Sequence, residues 1–180
     1  EQFLCIAPWE QVFINNEGYF FHCCMSEFCS SPISNDGKVL HVSNISSFQE
    51  VLSSSDSKKI REEMLRGEKP SACQKCVKEE AFGTTSYRKF LNHRLKTKID
   101  ETLSPKVRFV DMRPGNTCNL KCRMCYPTSS KLWVEEWPLL FPETKGSPQL
   151  LADLNLDWHK NALVWESLTH SLDYIQDLHF

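Results

Sequence analysis

The chain has 180 residues, of which 41% are apolar and 24% charged, ordinary values for a folded domain and far from those of a disordered chain. A formal charge of -2, from 21 basic and 23 acidic side chains, offers no global field to gather nucleic acid or an anionic membrane surface, so neither is expected as a partner. No apolar run approaches the roughly 18 to 20 residues that cross a bilayer, and Glu1-Gln2-Phe3-Leu4-Cys5 lacks the features of a secretory leader, so the expected compartment is the cytoplasm.

Val12-Phe13-Ile14 and Tyr19-Phe20-Phe21 are strand-forming runs separated by Asn15-Asn16-Glu17-Gly18, a polar turn closing on glycine. They predict a hairpin with Cys5 and Cys23 toward the open ends of its arms. Ser30 to Gly37 reads as a loop, and Ser46-x-x-Gln49 as a capping box for a short helix. A second helix is expected from Ser57 to Arg66, with Ile60, Met64 and Leu65 inward and Gly67 as its stop, delivering the chain into Cys73-Gln74-Lys75-Cys76. Val77 to Lys98 looks helical with a break near Gly83, and Ser104-Pro105 makes a domain boundary between units 1–104 and 105–180. Val107 to Met112 is a β-rich run ended by Pro114-Gly115. Ser129 to Trp137 and Asn161 to Ile175 read as helices, the second with Leu168, Leu172 and Ile175 on one face, before Asp177-Leu178-His179-Phe180 starts a new strand. Trp133, Trp137, Trp158 and Trp165 read as packing residues. The fold class is therefore α/β, with a small cysteine-rich α+β module leading into a strand-helix unit.

Nine cysteines need a reason. Their odd number and the absent leader disfavour disulfides, which leaves thiolate ligation of a metal. Cys118, Cys122 and Cys125 fall within eight residues, close enough for one loop to wrap three corners of a cubane cluster and leave the fourth iron open to an exogenous molecule. The same spacing would also make a buried helical stripe, against which stand Pro114-Gly115 and the use of cysteine where a core stripe uses leucine. Upstream, Cys5 and Cys23 from the hairpin and Cys73 and Cys76 from the loop before a helix make a four-thiolate site saturated by protein. Such a site suits a structural ion or an electron relay, and four thiolates serve zinc and iron-sulfur alike. Cys24 could take the place of Cys23; otherwise Cys24 and Cys29 are small buried hydrophobes.

Cys118-Asn119-Leu120-Lys121-Cys122-Arg123-Met124-Cys125, following a strand, resembles the Cys-x3-Cys-x2-Cys signature of the radical S-adenosylmethionine superfamily. The resemblance implies an enzyme in which S-adenosylmethionine chelates the open iron of a [4Fe-4S] cluster and is cleaved by one electron to methionine and a 5′-deoxyadenosyl radical, which takes hydrogen from substrate. It further implies that 105–180 is the first βα unit of a partial (β/α)6 barrel, with the cysteines at the C-terminal end of its strand. Where relatives carry an aromatic residue before the third cysteine this chain has Met124, with Tyr126 just after it; these two are the expected contacts of the bound cofactor, and no catalytic side chain is assigned.

Cys5-x12-Gly18-x4-Cys23 with Cys73-x2-Cys76 is similar to the auxiliary-cluster modules called SPASM or twitch domains, here placed ahead of the barrel. Relatives with that inverted order carry an acidic and basic stretch matched by Glu79-Glu80 through Ser86 and Arg88. The implied cofactors are a [4Fe-4S] cluster with S-adenosylmethionine and an auxiliary iron-sulfur cluster or zinc. The implied partners are S-adenosylmethionine, an electron donor such as flavodoxin or ferredoxin, and a substrate for which a peptide is the default. Asp177 to Phe180 resembles the strand leading into a Gly-Gly-Glu-Pro-like segment, so the sequence reads as the N-terminal part of a longer enzyme, inactive alone. The rival expectation is a non-catalytic zinc-binding interaction module, with His159 or His170 completing the downstream site. Arg88, Lys89, Arg94, Lys96 and Lys98, with His93, read as a solvated helix face rather than a grip for phosphate or an acidic peptide.

Overall fold

The computed structural model describes residues 3–100, 102–145 and 156–180. A short helix, α1 (Ala7–Glu10), leads directly into β1 (Gln11–Ile14), which turns through residues 15–19 into β2 (Phe20–Phe21). The turn is built by Asn15, whose side-chain oxygen accepts from the backbone N–H groups of Glu17 (3.1 Å) and Tyr19 (2.9 Å). Gly18 sits at φ +87°, and a Cβ there would meet His41 at 2.7 Å and Val42 at 2.9 Å, so no other residue fits the bend. The expected hairpin thus forms, with Phe13 opposite Phe21 and Ile14 opposite Phe20.

Two short strands, β3 (Ser34–Asn35) and β4 (Lys38–Val39), make a separate ribbon across the loop expected there. Next come α2 (Phe48–Ser53) and α3 (Ser55–Leu65). The capping expectation needs a correction: Ser46 reaches Glu50, not Gln49, while Gln49 donates to the Pro105 carbonyl at 2.9 Å. Ser54 caps α3 by accepting from Ser57 N–H at 3.2 Å, and Gly67, at φ +81°, ends it as expected. Ile60 and Met64 are buried and Leu65 half-buried. Arg61 is buried with them, donating to the carbonyls of Pro8 (2.8 Å) and Leu52 (2.7 Å), which ties α3 to α1 and α2.

Helices α4 (Gln74–Ala81) and α5 (Tyr87–Leu95) are separated at Gly83, as the sequence predicts. Then β5 (Phe109–Met112) is followed by a long loop, a single 3-10 turn at Lys131–Trp133 and α6 (Trp137–Leu140), where one helix over 129–137 was expected. Pro138 at the second position suits the start of α6 and Pro142 lies two residues past its end, which confines it to one turn. Helix α7 (Ala162–Ser171) starts on an Asn161 cap and leads to β6 (Asp177–His179). Its inward face is Val164, Ser167 and Leu168; Leu172, expected inward, is 54% exposed because the helix ends at Ser171.

The main sheet has the order β2-β1-β5-β6. Only β2 is antiparallel; β1 pairs with β5 in parallel from Gln11↔Phe109 to Ile14↔Met112, and β5 with β6 in parallel from Phe109↔Asp177 to Asp111↔His179. The sheet therefore runs across Ser104-Pro105, joining the hairpin to the strand-helix unit. Period-two alternation sends Val12, Ile14, Val110 and Met112 into one core with Phe48, Leu52, Val164 and Leu168 from α2 and α7. Phe109 faces the other way, into a core with Trp9, Ile60, Met64, Leu91 and Leu95 from α1, α3 and α5. The molecule is a mixed α/β structure with helices on both faces of a small sheet, consistent with the expected cysteine-rich module.

Candidate metal centres

Cys5, Cys23, Cys73 and Cys76 line one cavity, together with Phe3, Met25, Ala72, Lys75, Tyr87 and Arg88. The cavity encloses about 300 Å³ of empty space, open solvent at its mouth included. Each cysteine is delivered by the end of an element. Cys5 precedes α1, Cys23 follows β2, and Cys73 and Cys76 occupy the entry and first turn of α4. Asn92 of α5 clamps the first of these: its side-chain oxygen accepts from Ile6 N–H at 2.8 Å and its amide donates to the Leu4 carbonyl at 2.9 Å, on either side of Cys5.

Burial dominates the chemistry of these thiols. It pushes Cys5 up to about 12 and raises Cys23, Cys73 and Cys76 as well, with neighbouring cysteines adding to the rise at Cys5, Cys23 and Cys73. Acting the other way, backbone amides are aimed at three of the sulfurs: Ala7 at Cys5, Ser26 and Met25 at Cys23, and Arg88 at Cys76, which also bonds the Ser86 side chain. Hydrogen bonds of this kind favour thiolate. A pocket that buries four thiols against one another and then offers donors to their anionic form suits a polycation at its centre, since only that compensates four negative sulfurs in a dry site. Cys24 points elsewhere, packing with Phe13 and Phe21 beside Tyr87, and Cys29 does not line the cavity.

The downstream cysteines lie on the loop that leaves the C-terminal end of β5, with Cys122 exposed and Cys118 and Cys125 half-buried. The region is not a helix, which removes the buried-stripe alternative. Its base is fixed by polar contacts that no motif announces. Asn16 donates to the Gly115 carbonyl at 2.7 Å, and Trp158 Nε1 donates to the Asn16 carbonyl at 2.9 Å. Buried Asn116 donates to the Pro127 carbonyl at 3.0 Å, its own carbonyl accepts from Lys131 N–H at 2.9 Å, and buried Ser130 donates to the Leu120 carbonyl at 2.7 Å. A tight turn then places Cys125 N–H on the Cys122 carbonyl (2.9 Å), which also accepts from Trp133 Nε1 at 3.2 Å. The Cys125 thiol is raised by desolvation and then by Cys122 and Cys118, so the three sulfurs sense one another. Met124 is 88% exposed and Tyr126 45% exposed, both beside the third cysteine.

The two groups sit at opposite ends of the parallel pair. Cys5 and Cys23 flank the Gln11 end of β1, and the downstream loop leaves the Met112 end of β5, level with Ile14, about 10 Å of strand away. Among the described residues no three His, Cys, Asp or Glu side chains stand close enough to hold a single metal ion. His170 lines a different cavity, with Ser47, Gln49 and Lys106, and His159 Nδ1 lies against Gly115; neither completes a downstream ion site. Among the described residues no helix is long and apolar enough to cross a membrane.

Residues missed by sequence reasoning are Asn92, Asn116 and Ser130, whose signals are single polar positions without periodicity; Gly115 is legible there only as a breaker. Arg88 needs a correction of a different kind. Expected on a solvated face, its side chain is only 11% exposed and paired with Glu80 at 2.6 Å, while Arg94 of the same group pairs with Asp177 of β6.

No curated protein and no solved structure matches the chain. Residues 5–77 match the family model of the SPASM iron-sulfur cluster-binding domain, a stretch that opens on Cys5 and closes just after Cys76, and so contains all four thiols of the upstream cavity.

Proposed function

We propose that the chain belongs to a radical S-adenosylmethionine enzyme with two iron-sulfur centres: an auxiliary cluster held by Cys5, Cys23, Cys73 and Cys76, and a [4Fe-4S] cluster held by Cys118, Cys122 and Cys125 with one iron free for S-adenosylmethionine. The observation that carries the reading is the pairing of an enclosed four-thiol cavity, inside a stretch matching an iron-sulfur cluster-binding domain, with an accessible three-thiol loop at the end of a parallel strand. The auxiliary site is closed to substrate by its own ligands and serves structure or electron relay. When bound, the downstream cluster supplies the electron that splits S-adenosylmethionine into methionine and the radical that takes hydrogen from substrate.

The chain's own residues supply position. The Asn116, Ser130 and Trp133 contacts hold the loop's backbone, which in this reading lowers the ordering the loop must undergo to present its three thiols to one cluster. Met124 and Tyr126 offer exposed apolar surface where the adenine would rest. The parallel pair β5-β6 with α7 over one face is the beginning of a β/α barrel in this reading, with the loop at the end where such barrels gather their chemistry. Substrate is assigned no further than hydrogen donor, with a peptide as the class to test first, and flavodoxin or ferredoxin as the class of electron donor.

Anaerobic reconstitution tests both centres. Iron and sulfide near two cubanes per chain are expected, with Cys122→Ala losing about half and Cys73→Ala losing the other half. Zinc without iron after reconstitution, or loss of all iron in either variant, overturns the reading.

A further inference from the structure

The wall of the upstream cavity contains a largely covered cation that cluster ligation does not use. Arg88 lines the cavity, and its guanidinium is held from three sides. Nε and Nη2 donate to the two oxygens of Glu80 at 2.8 and 2.6 Å, Nη1 donates to the Leu4 carbonyl at 2.8 Å, and the plane lies 4.4 Å from the Phe3 ring centroid. Glu80 is fixed in turn by the Ser86 hydroxyl at 2.5 Å. An arginine anchored this way cannot swing out to solvent and does not lose its proton.

The two members of the ion pair are placed differently: Arg88 lines the cavity with the four cysteines and Glu80 does not. The cavity therefore borders the fixed positive charge directly, with its carboxylate partner outside the lining. Lys75, also in the lining, is committed to the Phe28 ring at 4.9 Å.

We propose that Arg88 sets the reduction potential of the auxiliary cluster, raising it by stabilising the extra negative charge of the reduced form, and that Glu80 opposes it. This rests on the cluster-binding reading of Cys5, Cys23, Cys73 and Cys76. A cubane on four thiolates is anionic and gains one further negative charge when one electron enters from an external low-potential donor, with no bond made or broken. A nearby fixed cation in a site of low dielectric favours the more anionic form, and cluster potentials respond to local charge, hydrogen bonds to sulfur and exposure.

The test is a dithionite redox titration followed by electron paramagnetic resonance, on the chain with Cys118, Cys122 and Cys125 replaced by alanine so that only the upstream signal remains. Arg88→Gln is expected to make reduction at least tenfold less favourable, a fall of about 59 mV for one electron, with iron content retained. Arg88→Lys should restore most of the loss, and Glu80→Gln should move the potential upward. An unchanged potential in Arg88→Gln at full iron content overturns the proposal. So does equal iron loss in the glutamine and lysine variants, which would make the residue a structural prop. Absence of iron from the parent itself would instead sink the cluster reading on which the proposal stands.

Discussion

At the scale of single residues, neighbouring cysteines have opposite fates. Cys23 lines the four-thiol cavity and Cys24 packs against Phe13 and Phe21, the chain having left β2 for a turn at this point. Sequence reasoning left the two interchangeable, since adjacency carries no information about which one turns inward. Cys23→Ala is therefore expected to lose about four irons per chain from the upstream centre, and Cys24→Ala none; inductively coupled plasma analysis of anaerobically purified protein distinguishes them. The residue just before them gives a pH prediction. Burial lowers His22 from an ordinary 6.5 to about 4, and its Nδ1 is enclosed without a hydrogen-bond partner among the described residues. A folded value depressed in this way means that the ring is neutral in the native state. Its contribution to stability is present above pH 6.5 and is lost as pH falls toward 4, on the order of 3 kcal/mol over the whole range. His22→Phe should flatten the denaturation profile between pH 6.5 and 4.5 relative to the parent, and an unaltered slope would contradict the assignment.

Elements were legible where periodicity or punctuation was strong. The hairpin, α3 with its Gly67 stop, and the break at Gly83 follow from runs of β-formers and from glycines required at positive φ. The helix expected over 129–137 gives way to a 3-10 turn at Lys131–Trp133 and a one-turn helix that Pro138 opens and Pro142 follows, although Trp133, Trp137 and Phe141 still meet at i,i+4 spacing, at 6.1 and 4.5 Å. Cysteine spacing made both candidate sites visible, but not the contacts that hold them. Asn92 lies inside a helix and Asn116 inside a loop, and nothing nearby in sequence distinguishes them from solvated amides. Gly115 is legible in sequence as a breaker, but not as a point of close backbone approach. It adopts φ +74°, and a Cβ would fall 2.0 Å from the Leu156 carbonyl, a contact with backbone that no rotamer relieves. Gly115→Ala should cost well over about 1 kcal/mol and loosen the downstream loop. Calorimetry and iron content should show a lower melting temperature and preferential loss of the Cys118, Cys122 and Cys125 cluster. Ser54→Ala, which removes the cap of α3 and the hydroxyl's bond to the Val51 carbonyl at 2.8 Å, should cost at least ~1 kcal/mol and leave both metal contents unchanged.

For the whole molecule, the sheet unites what the sequence divides. Ser104-Pro105 looks like a boundary, yet β1 is flanked by β2 on one side and β5 on the other, and Lys106 and Arg108 N–H donate to the Trp9 and Glu10 carbonyls at 2.9 Å. Composition and punctuation report where a chain turns, not which strand it later lies beside; parallel pairing between distant segments leaves no local signature. Cutting at this point would strip β1 of its partner and expose Phe109's neighbours Trp9, Leu91 and Leu95. Residues 1–104, loaded with metal, should therefore melt well below the intact chain and bind an apolar dye. Equal melting temperatures would show that the hairpin and its cavity need no β5.

The same pairing sets an order of events during synthesis. The register Gln11↔Phe109 joins the first strand to one made much later, a delay of about 5 to 20 seconds at translation rates of about 5–20 residues per second. All four upstream cysteines precede β5 in the chain. Metal bound during that interval would staple hairpin to α4 while β1 still has an open edge, shortening the effective loop that β5 must close and guarding an apolar edge strand while its partner is still being made.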